Sequence, residues 1–384
     1  MTHILFDPEQ IRTDASPAKH GEAWFHHMNR SSHPVIKRIR EFVEIMLSEY
    51  PQADVQNLVK RIKSSDLDQA QSALFELLIH HMLIISGYKI IELEPNISGS
   101  TKQPDFLVES PVHQRFYLEC LRIADGPQEE RGGKRNQDIF RDALNSIESK
   151  YYLDLKVTGL PKQTPSRKQF CKAVRHWLKS IDENNPENTK PLIWSAQGMT
   201  FRVALLRPIT PKSDPTFRSV GVEFGGLTTL SPDGGVKAPL RQKMRRYGKP
   251  DLPLIIAFTA PSFFLDETEI YAALFGDEAL SINQSTGTAT PCRDNNGLWG
   301  HNPWHYKQCS GVLYFKNLIP SRASVRKGKF IHHPSPNNPI DIVHLPVTEL
   351  KVMESGALDT VKQGIPLGEL FMLSAKWPED ETKL

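Results

Sequence analysis

Three carboxylates in this chain are spaced to do chemistry: Glu76, Asp105 and Glu119. An apolar run carries the first, and two short strand-like segments carry the others. Carboxylate oxygens are hard donors. Two of them with a backbone carbonyl and water make a site for Mg²⁺ or Mn²⁺. Such an ion stabilises phosphate charge and lowers the pKa of a bound water. Asp105 and Glu119 are the expected metal ligands, and Glu76 an outer or third acid.

The flanking residues say how the acids are positioned. Glu76 is the only acid between Ala70 and Gly87, within an apolar stretch of helical character. A buried carboxylate is costly unless it is paired or bound to a metal. His80 lies four residues on, so it shares a helical face with Glu76 and is the expected partner. Asp105 follows Pro104 at the start of one strand. Side chains alternate along a strand, so in Arg115–Ile123 Glu119 and Leu121 share one face. Pairing of the two strands would bring Asp105 and Glu119 together.

Residues 1–32 read as a loosely packed arm, and 33–64 as two helices separated at Pro51. Ser64-Ser65-Asp66 offers caps for the helix bearing Glu76, which ends at Gly87. Strands follow at Tyr88–Leu93, Asp105–Val108 and Arg115–Ile123, then a helix over 134–149 and a strand at Tyr151–Val157. A helix between the third and fourth strands allows a parallel crossover, and an α/β layer fold follows. Further on, a helix is expected over 166–180, strands at Leu192–Ser195 and Phe201–Leu206, a basic helix over 237–247 and a buried strand at Leu252–Phe258. Beyond residue 260 the chain is loop-rich, with strands near Gly311–Phe315 and Ile340–Leu345. Three regions result: an N-terminal arm and helices (1–65), an α/β core with an insertion (66–260) and a loop-rich C-terminal region (261–384).

The order of an acid on the first helix, Pro104-Asp105 on one strand and Glu119-Cys120-Leu121 on the next resembles the PD-(D/E)XK nuclease superfamily. The resemblance covers roughly residues 66–157. It implies a restriction-endonuclease-like mixed sheet flanked by helices, and metal-dependent phosphodiester cleavage. One element departs from the pattern: Leu121 stands where the family has a lysine that activates water and stabilises the phosphorane. Lys243 and Lys134 are the candidate replacements from other elements, Lys243 first. Lys243 and Tyr247, four apart, loosely resemble a helical pair of some family branches.

Charge distribution points to the substrate class. The formal net charge is only +3, but basic residues cluster. Lys168 and Lys172 lie in one acid-free stretch, Arg241, Arg245 and Arg246 in another, and Arg322, Arg326, Lys327 and Lys329 form a third cluster. Clustered Lys and Arg attract a polyphosphate backbone, so DNA is the expected partner. Trp299, Trp304, Tyr306 and Tyr314 fit loop packing better than base stacking.

Other classes are excluded or left without support. No apolar run reaches the roughly 18 residues of a membrane span. Four scattered cysteines without a CxxC pair argue for a reducing, cytoplasmic setting. The histidines of the C-terminal region match no common zinc module. No phosphate-binding loop is present, so an energy-driven or sensing step would need a partner protein. The expected function is a cytoplasmic DNA endonuclease, a restriction or antiviral defence component. The alternatives are an inactive nuclease-like module that binds nucleic acid or protein, and a scaffold.

Overall fold

A computed structural model describes residues 4–19, 22–123, 140, 142–144, 146–147, 149–159, 165–182, 185–208, 220–221, 235–260, 267–282, 289–300, 303–342, 344–353 and 357–380. In chain order come helices α1 (Trp24–Arg30), α2 (Pro34–Glu49), α3 (Val55–Ile62) and α4 (Leu67–Ile85). Strands β1 (Lys89–Leu93), β2 (Phe106–Glu109), β3 (Arg115–Arg122) and β4 (Tyr151–Thr158) follow. Next are α5 (Arg167–Lys179), β5 (Leu192–Ala196), β6 (Met199–Pro208), β7 (Val220–Gly221), α6 (Lys237–Arg246), β8 (Leu254–Ala260) and α7 (Glu267–Phe275). The chain continues through β9 (Glu278–Ile282), β10 (Ala289–Arg293), β11 (Gly311–Lys316), β12 (Gly328–His332), β13 (Thr348–Val352), β14 (Leu358–Lys362) and α8 (Leu367–Leu370).

The chain divides into two units. The first comprises Met1–Arg12, Trp24–Asp125 and Leu230–Leu384. Eight of its described strands form a mixed sheet in the order β1-β2-β3-β8-β11-β12-β13-β14, flanked by helices, and β9 and β10 pair as a separate hairpin. β3 and β8 are parallel, as are β8 and β11. One face packs on α2, α3 and α4 through Phe106, Val108, Phe116, Leu118 and Ile255. The other packs on α6 and α7 through Ile256, Phe258, Leu240 and Met244. β8 is buried along its whole length, as its unbroken apolar sequence requires of a strand covered on both faces.

The second unit comprises Thr13–Ala23 and Gly126–Thr229. Its sheet has the order β5-β6-β4-β7. Phe140, Leu144, Phe170, Val174 and Phe201 form its core.

Four expectations are corrected. The strand at Tyr151 does not complete the first sheet. It pairs with β6 in the second unit, and the parallel partner of β3 is β8, reached through α6. The physical reason is that Asp154 and Lys156 interrupt the apolar residues of β4, whereas the centre of the first sheet, covered on both faces, takes the apolar β8. Residues near the N-terminus are not loose: Leu5 and Phe6 are buried. Glu44 on α2 accepts from the amides of Ile4 (2.7 Å), Leu5 (2.9 Å) and Phe6 (2.6 Å). The described residues of Ile340–Leu345 form no strand, although Ile342 and Leu345 are buried. His80, finally, does not pair with Glu76, as described below.

Candidate active site

Glu76 enters from α4. Asp66 caps this helix, accepting from the amides of Asp68 (2.9 Å) and Gln69 (3.3 Å). Gly87 ends it at φ +82°, a left-handed conformation natural to glycine. The Glu76 carboxylate is buried but well partnered. Arg61 of α3 meets it with both terminal nitrogens, at 2.7 and 2.8 Å, and the Tyr50 hydroxyl donates at 2.9 Å. Burial works against the Arg61 charge, but Glu76 holds its pKa above the ordinary value. Burial and then the Glu76 charge push the Tyr50 phenol up. His80 packs between the rings of Tyr50 and Phe106 instead. Burial, then the neighbouring His81, lowers it to about 4, so it is a neutral core imidazole.

Asp105 and Glu119 are set by strand register. β2 and β3 pair antiparallel with Phe106 opposite Leu118. One step further along that register Asp105 comes opposite Glu119, and facing residues of an antiparallel pair share a face. The Cys120 amide donates to Asp105 Oδ2 at 2.6 Å, which pins the carboxylate. Asp105 is partly exposed, whereas Glu119 is buried.

The third component is α6. Its Lys243 Nζ contacts Glu119 Oε1, and the buried Tyr247 hydroxyl, one turn on, donates to Oε2. Arg246 Nη1 is 3.5 Å from the same carboxylate. The i,i+4 spacing puts Lys243 and Tyr247 on one helical face, and Met244 and Leu240 anchor that helix on Ile256 and Phe258. Leu121, two residues from Glu119, packs against the same apolar layer. Lys134 lies outside the described residues.

Electrostatics tie the acids together. Burial first, and then the charges of Glu119 and Glu76, push the Asp105 pKa well above the usual carboxylate range; the Cys120 amide and Lys243 pull the other way. Burial, then Glu119, raises the Tyr247 phenol. A carboxyl group held up in this way gains from a nearby cation. Two facing carboxylates are the donor chemistry that a hard divalent ion takes. Among the described residues no set of three or more His, Cys, Asp or Glu side chains is placed to hold a metal. The protein's share of such a site would be Asp105 and Glu119, completed by carbonyl and water.

The sequence-derived basic residues divide. Arg241 and Arg245 are exposed on α6, and the Arg245 guanidinium lies 5.5 Å from the Tyr306 ring centroid. Arg246 turns toward Glu119 and so belongs to the acid cluster. Lys168 and Lys172 are exposed on α5 of the second unit. Trp299 and Tyr314 are buried, which fits the packing reading. Tyr50, Arg61 and Gln308 escaped sequence reasoning. Gln308 donates to the Met244 carbonyl at 3.0 Å near the end of α6. Only the need of Glu76 for a partner could have pointed to Tyr50 and Arg61. No described helix is long and apolar enough to cross a membrane. Comparison with protein-family models, curated proteins and solved structures gives no match.

Proposed function

We propose that this chain is a divalent-metal-dependent DNA endonuclease built on a PD-(D/E)XK frame, with its lysine supplied by α6. The observation that carries the reading is the meeting of three elements: Asp105 opposite Glu119 in β-register, with Lys243 on Glu119. The order α4, β1, β2, β3, α6, β8, with the second unit inserted after β3, supports the reading by putting one acid on its first helix, one immediately before β2 and one on the paired β3. The span is therefore longer than 66–157.

Asp105 and Glu119 would hold Mg²⁺ or Mn²⁺, which would neutralise phosphate charge and acidify a water. Lys243 offers the ammonium that Leu121 cannot. Its place beside Glu119 lets it stabilise charge developing on the phosphoryl oxygens. Tyr247 fixes the orientation of Glu119 through its hydroxyl. The exposed Arg241 and Arg245 attract a phosphate backbone, which gives steep salt dependence. Lys168 and Lys172 offer a separate basic surface. A cytoplasmic restriction or antiviral defence role, with a partner supplying an ATPase or sensing step, completes the reading.

The test is cleavage of plasmid and single-stranded DNA with Mg²⁺ or Mn²⁺. Wild type should cut, and an Asp105→Ala/Glu119→Ala variant should not. Equal inactivity of both across substrates would defeat the enzyme reading. One observation favours a second reading, an inactive nucleic-acid- or protein-binding module: Lys243, Arg246 and Tyr247 already satisfy Glu119 as an ordinary buried ion pair. That module would bind DNA equally well without the carboxylates, and lose binding when Arg241 and Arg245 are neutralised.

A further inference from the structure

Glu76 lies within electrostatic reach of Asp105, yet both of its oxygens are already engaged, with three of about four lone-pair positions taken. Oε1 accepts from Tyr50 and Arg61 Nη2, and Oε2 from Arg61 Nη1. The side chain of Glu76 is 7% exposed and that of Arg61 29%. A metal ion approaching Glu76 would meet the one open position on Oε2 beside a bidentate guanidinium, and full coordination would displace that guanidinium, whose Nε is already buried without a partner. Stranding one member of a buried ion pair is strongly unfavourable.

Charge leads to the same place. Around Asp105 stand the acids Glu76 and Glu119, and the cations Arg61, Lys243 and Arg246. With Asp105 ionised, three negative groups face three positive ones before any ion enters. One divalent ion and one phosphodiester keep the cluster near neutrality. A second ion would add two further positive charges beside Arg61, which its bidentate pair with Glu76 holds in place.

We propose that Arg61 is a built-in second cation of this centre: the site takes one divalent ion, held by Asp105 and Glu119, and the Arg61–Tyr50 clamp withholds Glu76 from metal. This inference rests on the metal-site reading above. It makes the N-terminal helical layer a working part of the site, since Tyr50 ends α2 and Arg61 lies in the last turn of α3. Arg61 is here a positioning residue, acting through Glu76 and through its field at Asp105.

The test is titration of the whole, DNA-free chain with Mn²⁺, the free ion being read by electron paramagnetic resonance. An Asp105→Asn/Glu119→Gln variant gives the background of surface sites. Wild type should bind one Mn²⁺ per chain above that background. Glu76→Gln should keep that ion, its affinity falling by roughly 10–100-fold at most, as for a group outside the ligand set. Two ions above background in wild type, one of them lost in Glu76→Gln, would overturn the inference and leave the metal site standing. No ion above background would overturn the metal reading itself, and this inference with it. The wild-type stoichiometry decides even where Glu76→Gln fails to fold.

Discussion

The Glu76 corner and the Glu119 corner use the same vocabulary to different ends. Each buries a glutamate, and each answers it with a tyrosine hydroxyl and a cationic side chain. At Glu76 the partners come from the surrounding helices and the cation is a bidentate arginine. At Glu119, which is at least as buried, Lys243 and Tyr247 share one helical face, Arg246 lies at 3.5 Å, the cation in contact is a single-point lysine, and an aspartate stands opposite. A planar guanidinium fork locks a carboxylate, whereas an ammonium on a flexible stem leaves it able to exchange partners. The first arrangement serves structure, and the second can serve chemistry.

The largest way to break this contrast is to strip the Glu76 corner. Arg61→Ala leaves Glu76 buried and uncompensated, so it should cost about 3–5 kcal/mol in denaturant unfolding. Adding Glu76→Leu should recover most of that loss. A loss under about 0.5 kcal/mol would mean that the pair behaves as a surface ion pair.

Acid should act through two buried histidines, His80 beside Tyr50 and His333 beside Trp299. His80 and His333 are both lowered to about 4 by burial. A histidine depressed in the folded state contributes stability that is whole above its unfolded pKa of about 6.5. That stability is lost as the pH falls toward 4, because the unfolded chain binds the proton more readily. Unfolding free energy should therefore fall between pH 6.5 and 4, and His80→Phe should flatten the slope. An unchanged slope would show that His80 does not titrate as its burial demands.

Tyrosine deletions should separate the corners more finely. Tyr247→Phe removes the hydroxyl that donates to Glu119 Oε2 and should cost about 1.5–3 kcal/mol, the range for hydrogen bonds to charged groups. Tyr50→Phe leaves Arg61 in place and should cost less, about 1 kcal/mol. The reverse order would mean that Tyr247 is incidental. The smallest effect belongs to Arg245→Ala, which loses a contact over Tyr306 worth about 0.5–1 kcal/mol. It should weaken DNA binding and lower its salt slope by about one unit.

How far the sequence anticipated this depended on what each signal measures. Local signals served well: Asp66 and Gly87 bound α4, and the period-two pattern of Arg115–Ile123 put Glu119 and Leu121 on one face. Pro104-Asp105 and the single acid of β3 were enough to foresee the pair. Connectivity was not local. The pattern at Tyr151 marks a genuine strand, but nothing nearby says which sheet it joins; the uniformly apolar β8 was the better candidate for a central position. The partner of Glu76 was misassigned to His80 because helical spacing shows which residues share a face, not which neighbours reach over it. Tyr50 and Arg61 come from 26 and 15 residues away in sequence, beyond any periodic rule.

The central claim is that Lys243 replaces the lysine missing at position 121. Its most direct measurement is DNA cleavage by Lys243→Met and by Lys243→Met/Leu121→Lys, each with the fold checked by thermal unfolding. Lys243→Met should lose about 10²-fold or more in rate, with DNA binding nearly unchanged. Restoring a lysine two residues from Glu119, on the same strand face, should recover a measurable part of that rate. A Lys243→Met enzyme as active as wild type would contradict the account.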